Sequence, residues 1–155
     1  MPFLVLKYVH VLGAIVLLGT GAGIAFFMWM AHRTRDVGHI ARTAATVVVA
    51  DFLFTATAVV AQPVTGFLLA RAAGWPLSQG WLALSLLLYV AAGLCWIPVV
   101  FIQMRMRDLA RTAVKEHAPL SAAYDRLFRC WVTLGFPGFG AVLAIVWLMI
   151  AKPSF

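Results

Sequence analysis

YVHVLGAIVLLGTGAGIAFFMWMA, residues Tyr8–Ala31, contains no Asp, Glu, Lys or Arg. A helix rises ~1.5 Å per residue, so about 20 apolar residues cross a hydrocarbon core of roughly 30 Å, and this stretch predicts a membrane-spanning helix. Three more uncharged stretches follow: Phe52–Ala70, Ala72–Met104 and Cys130–Ala151, the first of them extending backwards through Thr46-Val47-Val48-Val49. Together they predict an all-α polytopic membrane protein, a four-transmembrane-helix bundle forming one domain over residues 1–155.

Composition points the same way. Hydrophobic residues make up 64% of the chain, charged residues 11%, and mean hydropathy is +0.98. A soluble domain carries about 25% charged residues, so this chain lacks a water-facing shell. The first apolar run outlasts the ~7–15 residues of a signal-peptide core and has no small-x-small site before charge begins, so it reads as a span rather than a cleaved leader. Cys95 and Cys130 show no metal or redox spacing and read as buried, reduced thiols.

Charge sets the expected threading. Arg33, Arg35 and Arg42 follow the first span, and Arg105, Arg107, Arg111, Lys115, Arg126 and Arg129 lie between the third and fourth. These are nine of the 12 basic residues; Lys7, Arg71 and Lys152 complete the set. Basic loops stay in the cytoplasm, which places both termini on the outer, periplasmic side of a bacterial inner membrane. Topology and anionic lipid account for the net charge of +7, so the expected partner is the bilayer and not nucleic acid. Trp29 and Trp131 at the inner boundaries, with Tyr8, Trp75, Trp81 and Trp147 at the outer ones, read as interfacial belts.

Local signals refine the connections. The third helix is expected to continue through Arg111, with Asp108 and Arg111 one turn apart, and Pro119 suits the first turn of the helix leading into span four. On that helix Asp125 and Arg129 are spaced i, i+4. Gly74, Pro76 and Gly80 mark Arg71–Gly80 as a short turn. Arg33-Thr34-Arg35-Asp36 and Arg105-Met106-Arg107-Asp108 form a faint repeat, compatible with duplicated hairpins or with the positive-inside rule alone.

Polar groups inside the spans are the candidate sites, because lipid offers them no partner. His10 lies just inside the outer boundary and reads as a metal ligand for b-type haem, as a proton relay, or as a histidine bonded to a neighbouring helix. His32, 22 residues on, is ~33 Å away along the helix and cannot share a metal with it. Met149 lies at a similar depth and is a candidate sixth ligand, beside an open or water-filled position. Pro63 frees the carbonyl of Val59, and Gln62 is placed to satisfy it, to bond His10, or to touch a ligand. Asp51, about two turns into span two, is expected either to form a structural ion pair with Arg105 or to serve in proton transfer or substrate contact. Gly13, Gly19, Gly21 and Gly23 in span one, with a GxxxG pair at Gly19–Gly23, and Gly135, Gly138 and Gly140 in span four suggest close helix packing, a flat cofactor surface, or a homo-oligomer face. Pro98 and Pro137 are expected to kink spans three and four.

Two resemblances rest on particular residues. His10-Val11-Leu12-Gly13, Ala31-His32-Arg33-Thr34, Gln62-Pro63-Val64-Thr65-Gly66, Trp96-Ile97-Pro98 and Leu148-Met149-Ile150-Ala151-Lys152-Pro153 resemble a bacterial four-helix integral membrane family catalogued as domain of unknown function 2269, which implies the fold and brings no activity. More distantly, Lys7 with His10 and the tail Lys152-Pro153-Ser154-Phe155 are similar to the four-helix bacterial protoporphyrinogen oxidases, in which the first-span histidine is a haem ligand. Those oxidases read Trp-Leu-His-x-Lys entering span three; here the residues are Trp81-Leu82-Ala83-Leu84-Ser85, and Ser85 replaces the lysine needed for activity. The resemblance therefore implies architecture and haem b binding through His10, while the departure at Ser85 puts porphyrinogen oxidation in doubt.

Two functions follow as expectations. One is electron transfer or haem-linked redox chemistry, with a quinone or a redox membrane partner. The other is a non-enzymatic membrane subunit, assembly factor or small transporter module that uses Asp51 and the glycine faces against partner helices.

Overall fold

The computed structural model describes residues 2–154. Four helices hold nearly all of them: α1 (Pro2–Thr34), α2 (Val37–Ala72), α3 (Gly80–Lys115) and α4 (Ala122–Ala151). Each is long and apolar enough to cross a membrane, and no strand occurs among the described residues. The fold is the expected all-α four-helix membrane bundle. With four spans, both termini and the α2–α3 turn share one end, the termini end; the Arg-rich connections share the other, the basic end.

Local chemistry explains where the helices stop. Arg35 takes φ +56°, a left-handed turn that ends α1, and Asp36 starts α2 by accepting from the His39 backbone N–H at 2.9 Å. The segment around Arg33–Arg42, read from sequence as a loop, is thus two helix ends joined through Arg35 and Asp36. That hydrogen bond holds the Asp36 carboxyl below the usual carboxylate range. Gly74, at φ +71°, turns the chain after α2, as its short glycine-proline segment predicted. Ser121 caps α4 by accepting from Tyr124 N–H at 3.4 Å, leaving Pro119 outside the helix rather than in its first turn. A hydroxyl reaches the bare amide there and proline cannot. Lys152, at φ +43°, closes α4 with its N–H on the Leu148 carbonyl at 2.9 Å, and Pro153 prevents continuation.

The charged pairs differ from the spacing argument. Asp108 takes Arg107 Nε at 2.8 Å, not Arg111, and Asp125 takes Arg35 Nη1 at 2.8 Å across the bundle, not Arg129. Long guanidinium arms reach a neighbour or another helix as readily as the next turn.

Packing is uneven. At the basic end, Met28 and Ala31 of α1, Ile40 and Ala44 of α2, Met106 and Ala110 of α3, and Tyr124 and Phe128 of α4 form one core. Tyr124, Met28, Ile40 and Met106 are its fully buried large side chains. The ring of His32 stacks on Phe128 with centroids 3.7 Å apart, which ties α1 to α4. At the termini end the buried cluster is small: Ala70, Trp81, Leu82 and Leu148, with Lys152 Nζ 4.2 Å from the Trp75 ring.

Three expectations about side chains are corrected here. Trp81 and Trp131 are buried in the bundle, so only Tyr8, Trp29 and Trp147 of the expected belt residues are broadly exposed. Cys130 is exposed and Cys95 half-buried, both unpaired, because an apolar span has a lipid face as well as an inner one. Finally, Gly19 and Gly23 pack against nothing within 4 Å; the close approaches are at Gly13, Gly66 and Gly138.

Candidate functional site

α2 is not a uniform helix. Residues Asp51–Thr55 form a π turn, in which Ala56 N–H reaches back five residues to the Asp51 carbonyl. Beyond it, the helix carries Gln62, Pro63, Thr65 and Gly66 to the termini end, where they meet His10 of α1.

Gln62 Nε2 donates to the backbone carbonyl of His10 at 2.9 Å. The His10 ring then sits against Gly66, where a Cβ would approach Cε1 to 3.2 Å. A Cβ at Gly13 would collide with Gln62 Nε2, so two glycines, one on each helix, leave room for the amide and the histidine between the backbones. His10 Nδ1 lies 2.8 Å from Thr65 Oγ1.

The histidine tautomer is assigned from the hydrogen bonds around Thr65. Thr65 Oγ1 is also 2.8 Å from the Ala61 carbonyl and 3.2 Å from the Gln62 carbonyl, so its single proton goes to the backbone. The hydroxyl must then accept from His10, which puts the imidazole proton on Nδ1. Nε2 keeps its lone pair and has no hydrogen-bond partner among the described residues. A neutral imidazole with Nδ1–H anchored and Nε2 open is the form that binds a metal.

His10, Gln62, Gly66, Ser85, Tyr89 and Met149 line one cavity of about 120 Å³. Sequence reasoning picked out His10, Gln62 and Met149 from three different helices, and the fold brings all three to it. It overlooked Thr65 and Tyr89. Thr65 was legible as Gln62 plus three on the same helix face; nothing local pointed to Tyr89. The Tyr89 hydroxyl donates to the Val59 carbonyl, the acceptor that Pro63 frees, so tyrosine rather than Gln62 heals the proline gap. Ser85 is buried, and its hydroxyl returns to the Trp81 carbonyl at 2.7 Å, which leaves it no proton for a ligand.

The Asp51–Arg105 ion pair does not form. Asp51 Oδ1 accepts from Trp96 Nε1 at 3.2 Å, whereas Arg105 is exposed nine residues further along α3, about 13 Å away by helix rise. The carboxyl is therefore level with a neutral donor inside the membrane rather than with the basic end.

A profile for the family described as predicted integral membrane protein, DUF2269, matches residues 4–153. The chain belongs to that family. The match spans all four helices of this DUF2269 protein, so the His10 cavity and the π turn both lie within it. No curated protein and no solved structure matches the chain, and the resemblance to the porphyrinogen oxidases gains no support from these comparisons. Among the described residues no group of three or more His, Cys, Asp or Glu is placed to hold a metal ion.

Proposed function

We propose that this DUF2269 protein carries haem b in the His10 cavity and serves electron transfer or haem-linked redox chemistry in a bacterial inner membrane. The observation that carries the reading is the His10 Nδ1–Thr65 Oγ1 hydrogen bond, which assigns the ring proton to Nδ1 and leaves Nε2 without a protein partner on a residue that lines the same cavity as Met149. His10 Nε2 and the Met149 sulfur would hold the haem iron, a ligand pair known among haem proteins. The haem would supply one-electron chemistry, with a membrane quinone or a membrane-bound redox protein as the partner. Thr65 would hold the imidazole orientation, Gln62 would fix the α1 backbone beneath it, and the apolar walls would keep water out.

The donor set fits haem better than the space does. Ordinary small-molecule pockets enclose roughly 300–1,000 Å³, well above the 120 Å³ found here. The walls towards lipid include Phe67, Leu77 and Leu86, which are 46%, 44% and 43% exposed, and these side chains must swing outwards to admit a macrocycle. On the positive-inside reading the cavity would lie in the periplasmic leaflet.

The test is an absorbance spectrum of detergent-purified protein from cells supplied with haem precursor. A Soret band that disappears in His10→Ala and shifts in Met149→Leu is expected. A colourless wild type, or a band indifferent to His10→Ala, overturns the reading.

A second reading, a non-enzymatic membrane subunit or assembly factor, has its own observation: the bare face at Gly19 and Gly23 offers the backbone to another helix. It predicts a stoichiometric partner or a second copy that is lost in Gly19→Leu. A solitary, colourless protein unaffected by that change counts against it.

A further inference from the structure

The buried face of α2 changes character at the π turn. Before it, Ile40, Ala41, Ala44, Val47 and Val48 are all apolar. From the turn onwards the buried positions are Asp51, Thr55, Ala58, Gln62, Thr65 and Ala70, and the first five, spaced alternately four and three residues apart, include four polar side chains. This stripe runs along one helix face towards His10.

Asp51 is 4% exposed. Trp96 Nε1 serves Oδ1, but Oδ2 is buried without a partner, and so is Thr55 Oγ1 one turn further on. No Lys, Arg or His forms an ion pair with Asp51 among the described residues. The other titratable groups are remote or engaged. α1 has none between His10 and His32, and α4 has none between Cys130 and Lys152. On α3, the Tyr89 hydroxyl is bonded to Val59, Cys95 lies against Gly138, and Arg105 is exposed at the basic end. A carboxylate in lipid with one neutral donor and no cation is strongly disfavoured. A carboxylic acid fits: Oδ1 accepts from Trp96, and the orphaned Oδ2 holds the proton. π turns recur at functional sites, where the widened backbone re-aims side chains.

We propose that Asp51 is a proton-binding site inside the membrane, carried as the neutral acid, with Thr55 as the hydroxyl through which the proton leaves and returns. Oδ2 and Thr55 Oγ1 are not hydrogen-bonded to each other at rest, so release requires a side-chain rotation that brings the two together. The Oδ2–H bond then breaks and its proton passes to Thr55 Oγ1, while the Thr55 hydroxyl proton passes to water. The carboxylate left behind keeps the Trp96 N–H hydrogen bond. This site is separate from the His10 cavity and stands whatever that cavity binds.

Infrared spectroscopy of the purified protein in lipid nanodiscs at neutral pH tests it. The other four acidic residues, Asp36, Asp108, Glu116 and Asp125, lie beyond the apolar spans. The expected result is a C=O stretch of a protonated carboxyl that is absent from Asp51→Asn and shifts when the sample is moved to deuterium oxide. Thr55→Val keeps the band and slows its shift several-fold. A wild type without the band, a band that survives Asp51→Asn, or wild-type exchange in Thr55→Val overturns the proposal. Wild-type and Thr55→Val spectra decide it even where Asp51→Asn does not fold.

Discussion

Both halves of α2 pack on α1, but only the first also packs closely on α3, and the two solve opposite problems. Val37–Ala50 turns small and β-branched apolar side chains into a core with Met28, Met106 and Tyr124. After the π turn, Gln62 and Thr65 face α1 and a cavity instead of a packed core. In lipid there is no hydrophobic drive between helices, so van der Waals contact and hydrogen bonds hold them together. The basic half relies on the first, the termini half on the second. A cavity is tolerated where the hydrogen bonds of Gln62, Thr65 and Tyr89 replace the missing contacts.

This contrast is open to measurement by thermal or denaturant unfolding in detergent. Met106→Ala strips a fully buried side chain from the packed half and should cost about 2 kcal/mol or more, near the low end for such truncations because helix association in lipid lacks the water-transfer part. Ile145→Ala, on the cavity wall, should cost well under half as much; equal losses would mean that the two halves are packed alike. Gly13→Ala should rank with Met106→Ala rather than with Ile145→Ala, at about 1–3 kcal/mol from overpacking, since the new methyl must push Gln62 off the His10 carbonyl. Gly19→Ala, with nothing within 4 Å, is the neutral control. The Arg35–Asp125 pair is solvent-exposed at 62% and 42%, so a double-mutant cycle should give under about 1 kcal/mol, reduced further by salt.

Asp36 gives the smallest effect, and a pH-dependent one. Its carboxyl is held below the usual range in the folded protein by the His39 N–H. The contribution is therefore fully present above the ordinary aspartate pKa of ~3.9 and is lost as pH falls through the lower folded value. Asp36→Asn, which keeps a capping oxygen, should flatten that acid limb while leaving stability at neutral pH nearly unchanged. An unchanged acid limb would show that the cap carries no ionic part.

Much of the membrane fold was legible because its signal is one-dimensional. Twenty apolar residues without charge have few alternatives in a chain this poor in polar surface, and Tyr8–Ala31 or Cys130–Ala151 declares itself whatever its neighbours do. His10, Gln62 and Met149 were legible for the same reason: a polar or soft side chain in lipid stands out. Depth along a helix can be counted from sequence, but rotation and partner cannot. Arg105 looked close to Asp51 in sequence-derived depth, yet Trp96 occupies the level where the π turn delivers the carboxyl. The GxxxG pair satisfied a packing motif, while the close contacts fell on Gly13 and Gly66, which no motif marks. The sequence by itself determined that this chain crosses a membrane four times and which few polar groups go with it. Only the tertiary structure decided which of them meet, because each meeting depends on the azimuth and register of separate helices, quantities set by packing between segments far apart in the chain.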